Sequence, residues 1–137
     1  MISINKPIKD NLRGFELKDN FDIENSMVIF DGQEVAGITY YTPINSEEAI
    51  IDEVLIKPSY RHQYFGDSIV KAILNVADKR GVRRMFVNTN KDNKQFFNKV
   101  GFIDPDFSDV KSQYSIDENT LIAILPDFFN TACRSKK

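Results

Sequence analysis

Residues 56–67 read Ile56-Lys57-Pro58-Ser59-Tyr60-Arg61-His62-Gln63-Tyr64-Phe65-Gly66-Asp67. The segment leaves a β-branched apolar run and enters a stretch with helical spacing. A junction from strand through loop to helix aims free backbone amides and the positive end of the helix dipole at one spot. Such a spot suits a phosphate or a pyrophosphate. A helix start satisfied by water accounts for the same residues when they are taken alone. His62 lies inside this loop, where its backbone is the part that meets an anion, and a surface histidine with no catalytic role is the simpler reading. Downstream, Asn90-Lys91-Asp92-Asn93-Lys94-Gln95-Phe96-Phe97-Asn98-Lys99-Val100-Gly101-Phe102 reads as a short helix with two aromatics followed by Gly-Phe opening a strand. Phe96 and Phe97 at a helix end are core residues first. Cys133 sits beside Arg134 and Lys136 in a polar tail, and without a second histidine to activate it it reads as incidental.

These residues depend on elements that must hold them. Residues 27–30 are a short apolar strand, Asp31-Gly32 suits a tight hairpin turn, and residues 34–41 are β-branched and aromatic, as strands prefer. Residues 42–48, with Pro43 and Asn45, make a turn, and 49–56 form the third strand of a meander. Then the period changes: Ile69, Val70, Ile73, Leu74, Val76 and Ala77 fall on one stripe of a helix with about 3.6 residues per turn. Gly81 closes that helix, with Lys79 and Arg80 in its last turn where the dipole favours cations. Residues 85–87 are a strand, 92–100 a short helix ending at Gly101, Phe102 opens another strand, and 121–125 are one more, with Phe128 and Phe129 packing the tail. Near the start, Ile2, Ile4 and Ile8 open an edge strand and residues 12–20 hold a short helix. The meander implies antiparallel pairing, and the strand-helix-strand unit over 50–87 implies one parallel, right-handed crossover. The expected fold is α/β with α+β character: a mixed, mostly antiparallel sheet, one parallel strand pair, and flanking helices.

Composition narrows the function. The chain has 137 residues, enough for one ordinary core, so a single domain over 1–137 is expected. Lys and Arg total 18 against 20 Asp and Glu, a net charge of −2, which lacks the basic field that non-specific nucleic-acid binding uses. One cysteine and one histidine leave no disulfide framework, no cysteine-based zinc site and no multi-histidine metal site. No run approaches the roughly 20 apolar residues of a membrane span, and the N-terminus lacks the apolar block of a secretory signal. A cytoplasmic protein with neither nucleic-acid nor membrane partners, and no metal, is the expectation.

Taken together, the two chemistry-bearing segments resemble the GNAT superfamily of N-acetyltransferases. That family carries Val-x-Pro-x-Tyr before a loop of the form Gln/Arg-x-x-Gly-x-Gly/Ala. Here Ile56-x-Pro58-x-Tyr60 precedes Arg61-His62-Gln63-Tyr64-Phe65-Gly66. The family's second motif is an Asn, then a helix ending Phe/Leu-Tyr-x-x-x-Gly-Phe, and here Asn90 leads to Phe96-Phe97-Asn98-Lys99-Val100-Gly101-Phe102. The likeness covers residues 26–102 and is strongest over 50–102.

The resemblance implies an enzyme that moves the acetyl group of acetyl-CoA to a primary amine of a small molecule or peptide by direct attack in a ternary complex. In the family, acetyl-CoA enters a gap where two parallel strands splay, here 50–56 and 83–88. Val54, Leu55 and Ile56 then offer main-chain groups to the pantetheine arm, which completes the ladder like an added strand. The pyrophosphate meets the amides of Arg61, His62, Gln63, Tyr64, Phe65, Gly66 and Asp67. Asp52 and Glu53 are the candidate bases. Neighbouring strand residues face opposite sides, and Asp52 shares parity with Val54 and with the family's acidic position. For either residue, a solvated edge carboxylate is the competing reading. A backbone N–H of Leu55 or Ile56 meets the oxyanion. Asn90 bonds the pantetheine arm or caps the next turn.

Two positions depart from the family. Tyr64 replaces a glycine, so its ring lies over the cofactor, obstructs it, or points to solvent. Phe97 replaces a tyrosine that donates a proton to the leaving thiolate, leaving Tyr114 or no acid in that role. Lys79, Arg80, Arg83 and Arg84 are a solvated surface or meet the CoA 3′-phosphate or an acidic partner. The residues before the first hairpin, which shape the acceptor groove in the family, number at most 25 and imply an open groove. Pairing through sheet edges or residues 121–125 would give a homodimer. The alternative function is a degenerate member that binds CoA or a protein without turnover.

Overall fold

A computed structural model of the chain describes residues 1–61, 64–105 and 116–129. The strands are β1 (Ile2–Asn5), β2 (Ser26–Asp31), β3 (Glu34–Pro43), β4 (Glu48–Ile56), β5 (Arg84–Asn88) and β6 (Thr120–Ile124). The α-helices are α1 (Phe65–Lys79) and α2 (Lys94–Val100), and single 3-10 turns fall at Lys9–Leu12, Ile23–Asn25 and Pro58–Tyr60. The six strands form one sheet in the order β1-β2-β3-β4-β5-β6. It is a mixed α/β fold, mostly antiparallel with one parallel pair, β4 and β5. The chain divides into two compact units, Met1–Thr42 with Ile51–Val76, and Pro43–Ile50 with Ala77–Lys137. β4 therefore contributes to both.

In the first unit, β2 and β3 pair through the hairpin turn that Asp31-Gly32 predicted. Its register slips between Ile29 and Phe30: Ile29 faces Gly37 and Phe30 faces Val35, which leaves Ala36 as the extra residue of a bulge. The Ala36 carbonyl accepts from the Lys57 amide at 2.8 Å, tying down the end of β4. Gly37 is there because nothing larger fits: an added Cβ would lie 2.7 Å from the Leu55 carbonyl oxygen and 2.5 Å from Ile56 Cδ1. The core of this unit is Val28, Ile29, Ile38, Tyr40 and Ile51 from the strands with Ile69, Val70, Ile73 and Leu74 from α1, all buried. The last four belong to the stripe of six that the helical period predicted; of the other two, Ala77 is buried and Val76 half-buried.

In the second unit, β5 and β6 pair antiparallel from Arg84 opposite Ile124 to Asn88 opposite Thr120. The amides of Arg83 and Arg84 both donate to the Glu47 carbonyl, at 2.7 and 3.0 Å, which fixes the start of β5 beside the start of β4. An aromatic file runs Phe96, Phe97, Phe102, Phe128, Phe129, each ring edge-on to the next. Gly101 ends α2 at φ 130°, a conformation side chains resist, and a Cβ there would meet the Phe128 ring at 2.8 Å.

Two expected elements differ. Residues 12–20 hold no α-helix; a 3-10 turn at Lys9–Leu12 is followed by Gly14 at φ 86°. The amides and side chains after it are spent on β3 and β4 rather than on carbonyls four residues back, as described below. The strand expected from Phe102 is, among the described residues, a single bridge between Ile103 and Ile122. Pro105, two residues on, has no N–H to extend it.

Candidate functional site

The second half of β4 is where the two candidate bases, Asp52 and Glu53, lie. Asp52, Glu53, Val54, Leu55 and Ile56 are all partly exposed, in contrast to Glu48, Ala49 and Ile51 before them. A strand whose successive residues all reach solvent has neither face closed. The Asp52 carboxylate is oriented by two donors: the Thr42 hydroxyl at 2.5 Å on Oδ2 and the Asn20 amide at 3.2 Å on Oδ1. Each carboxylate oxygen has two lone-pair sites, so Asp52 keeps capacity for a further donor. The Glu53 carbonyl accepts from the Thr39 hydroxyl at 2.8 Å, and its carboxylate faces Lys18.

Lys18 and Asn20 are site residues that the sequence did not single out. The Lys18 amide donates to the Tyr40 hydroxyl at 3.0 Å, and its ammonium donates to the Asp52 carbonyl at 3.1 Å and pairs with Glu53 Oε1 at 3.4 Å. Phe21 then lays its ring edge-on against Tyr40 at 4.9 Å. Residues 18–21 thus form a strap against β3 and β4 at the two candidate bases. Burial pushes the Tyr40 phenol up; the Lys18 amide opposes this, and the charges of Glu53 and Asp52 add to it. Nothing local marks the strap in the sequence, since its contacts with β3 and β4 lie 19 and more residues away.

At the junction, Pro58–Tyr60 makes a 3-10 turn and the Arg61 guanidinium reaches back to the Ile56 carbonyl at 3.1 Å. The Tyr60 hydroxyl donates to Glu34 at 2.9 Å, and its ring meets buried Phe65 edge-on. The first bond of α1 runs from the Ser68 amide to the Tyr64 carbonyl. The amides of Phe65, Gly66 and Asp67 therefore precede any partner four residues back, as a helix start requires. Gly66 is buried, Asp67 pairs with Lys71 at 3.1 Å, and the Tyr64 ring is 85% exposed. Of the three placements open to Tyr64, the ring takes the one toward solvent. These residues fit a bound pyrophosphate: they begin a helix, whose first amides have no partner within it, and the large Tyr64 side chain is turned to solvent. His62 and Gln63 lie outside the described residues, as do Tyr114 and Cys133.

In the second unit, Asn90 caps a turn: its Oδ1 accepts from the amides of Asp92 and Asn93 at 2.8 and 3.0 Å. Phe97 is 4% exposed within the aromatic file. The basic cluster is not a uniformly free patch. Arg83 pairs with Asp78 at 2.9 Å and also donates to the Leu125 carbonyl, while Arg84 lies 3.8 Å from Glu47 and 4.0 Å from Glu48. Among the described residues, no group of three His, Cys, Asp or Glu is placed to hold a metal ion, and no helix is long and apolar enough to cross a membrane.

Several solved structures share this architecture. N-acetylglutamate synthase from Neisseria gonorrhoeae, complexed with coenzyme A and L-arginine, matches with TM-score 0.74 at 13% identity over 91% of this chain and 33% of its own. The chain thus spans about a third of that enzyme's length. Ard1 from Thermoplasma volcanium matches with TM-score 0.68 at 17% identity, over 90% of this chain and 97% of its own. A GNAT family acetyltransferase from Elizabethkingia anophelis with acetyl-CoA bound gives TM-score 0.64 at 14% identity, over 90% and 98%. A search of curated proteins finds no match. The model of the acetyltransferase (GNAT) family matches residues 5–102, and the chain belongs to that family.

Proposed function

We propose that the chain is an acetyl-CoA-dependent N-acetyltransferase acting on a primary amine of a small molecule or peptide by direct attack in a ternary complex. The observation that carries this is the partly exposed run of β4, Asp52 to Ile56, followed in the chain by the start of α1, in a member of this family. Acetyl-CoA, when bound, supplies a thioester carbonyl that an amine can attack. Val54, Leu55 and Ile56 offer main-chain groups to its pantetheine arm, and the amides of residues 61–67 meet its pyrophosphate. Asp52, held by Thr42 and Asn20, takes the proton that an ammonium must lose before it can attack. Glu53 is the other candidate base on the strand. The Leu55 amide stabilises the oxyanion. Asn90 and Phe97 complete the cofactor set in this reading, Asn90 through the side-chain nitrogen that its turn leaves out and Phe97 through its ring alone. The whole chain acts as one cytoplasmic domain, with no nucleic acid or membrane partner, and pairing through sheet edges gives a homodimer.

A second reading has one observation in its favour. Phe97 carries no hydroxyl and is buried among aromatics, so it cannot protonate the leaving thiolate. A member without turnover would still bind CoA. Thiol release from acetyl-CoA across a panel of amines separates the two. Release that falls with Asp52→Asn supports the enzyme. Binding without release on any amine supports the module. Failure to bind acetyl-CoA at all removes the enzyme and the CoA-binding module and supports a degenerate member that binds a protein.

A further inference from the structure

We propose that Lys18 is a self-acetylation site: the chain's own ε-amine lies beside the strand that would hold the thioester in the proposed reaction. The inference rests on that reading of β4. The Lys18 ammonium lies 3.1 Å from the Asp52 main-chain carbonyl and 3.4 Å from Glu53 Oε1, so a primary amine is already held on β4 against one candidate base, Glu53. Its side chain is 52% exposed, which leaves it reachable. The strap that carries it belongs to no helix or strand, and is held by the Lys18 amide on Tyr40 and by Asn20 on Thr42 and Asp52. Three residues of strand, about 10 Å at the usual rise, separate Asp52 from the Leu55 amide proposed for the oxyanion. The four-carbon stem must swing along β4 to cover that distance, and its exposure allows it.

The chemistry balances without a further reagent. Glu53, at 3.4 Å, takes one proton from the Lys18 ammonium. The freed lone pair forms a bond to the thioester carbonyl carbon, the carbon–sulfur bond breaks, and its electron pair leaves as the CoA thiolate. Of the two protons that the nitrogen loses, one ends on sulfur and one in solvent. Acetyl-Lys18 is neutral, so its tie to Glu53 is lost and that carboxylate is released.

Incubation of the full chain with acetyl-CoA, followed by peptide mass spectrometry, tests this. One acetyl group is expected on Lys18, with Lys6 and Lys57 as internal comparison sites, at a rate per molecule that does not change with protein concentration. Lys18→Arg keeps the charge and should abolish the label. Glu53→Gln should slow it on the order of a hundredfold, the size of a base contribution. Label spread evenly over surface lysines, equal labelling of heat-unfolded protein, or no label on Lys18 while acetyl-CoA still raises the melting temperature would each overturn the inference and leave the acetyltransferase reading standing. Absence of any acetyl-CoA effect on melting would remove that reading and this inference together.

Discussion

The Tyr60 hydroxyl donates to Glu34, and that hydrogen bond beside a carboxylate charge pushes the phenol up to about 12. A tyrosine in the unfolded chain titrates near 10, so the folded state keeps a proton that the unfolded state loses. Stability from this pair is intact below a pH of about 10 and is lost as pH rises through about 12, since the folded state binds more protons across that window. Thermal melts stepped through the window should fall more steeply for the native sequence than for Tyr60→Phe; parallel curves would remove Glu34 as the cause. Asp52→Asn should keep the bonds from Thr42 or Asn20 largely in place while losing the basic oxygen. Turnover should drop on the order of a hundredfold, with a displaced pH profile and unchanged acetyl-CoA affinity by calorimetry. Tyr64→Gly should leave that affinity unchanged, because the ring is already in solvent; a large change either way would mean that it turns inward when the cofactor arrives. Motif spacing made the β4 carboxylates and the α1 start legible. Lys18 and Asn20 were not, because what makes them site residues is their distance in space from Asp52, and neither stands in a pattern.

Elements with a local period were read correctly. β2, β3, β4, α1, α2 and β6 announce themselves by an apolar run, β-branched and aromatic content, a helical stripe or a closing glycine. Residues 12–20 went wrong because their order comes from bonds to β3 and β4 across more than twenty positions. The bulge at Ala36 was equally silent, although it sets where β4 ends through the Lys57 amide. Gly37 supports that placement, and Gly37→Ala should cost about 1–3 kcal/mol as an overpacking change, because backbone oxygen of Leu55 cannot move aside as a side-chain tip can. Denaturant melts would show it as a lower midpoint. A midpoint equal to that of the native sequence would mean that β3 and β4 separate freely at this point.

At the scale of the molecule, both family motifs lie at the right separation with a helix and a strand between them, which is why the fold was legible from so little identity. The acceptor was not, since the strap beside Asp52 and Glu53 takes a course that the sequence does not state. A ligand that binds only the folded state raises stability by about 2.7 kcal/mol at 100 times its Kd. Melting temperature should therefore climb with the logarithm of acetyl-CoA concentration, and a flat response would sink the cofactor assignment. The Tyr40 hydroxyl has one more consequence. Tyr40 is wholly buried, and the amide of Lys18 is a donor to its oxygen. A guest that pushes the strap aside leaves that oxygen bare, at a penalty of about 1–3 kcal/mol, unless it brings an N–H or O–H of its own or lets water follow it in. Entry to this corner of the protein is thus biased toward molecules that can donate, before any question of reactivity arises.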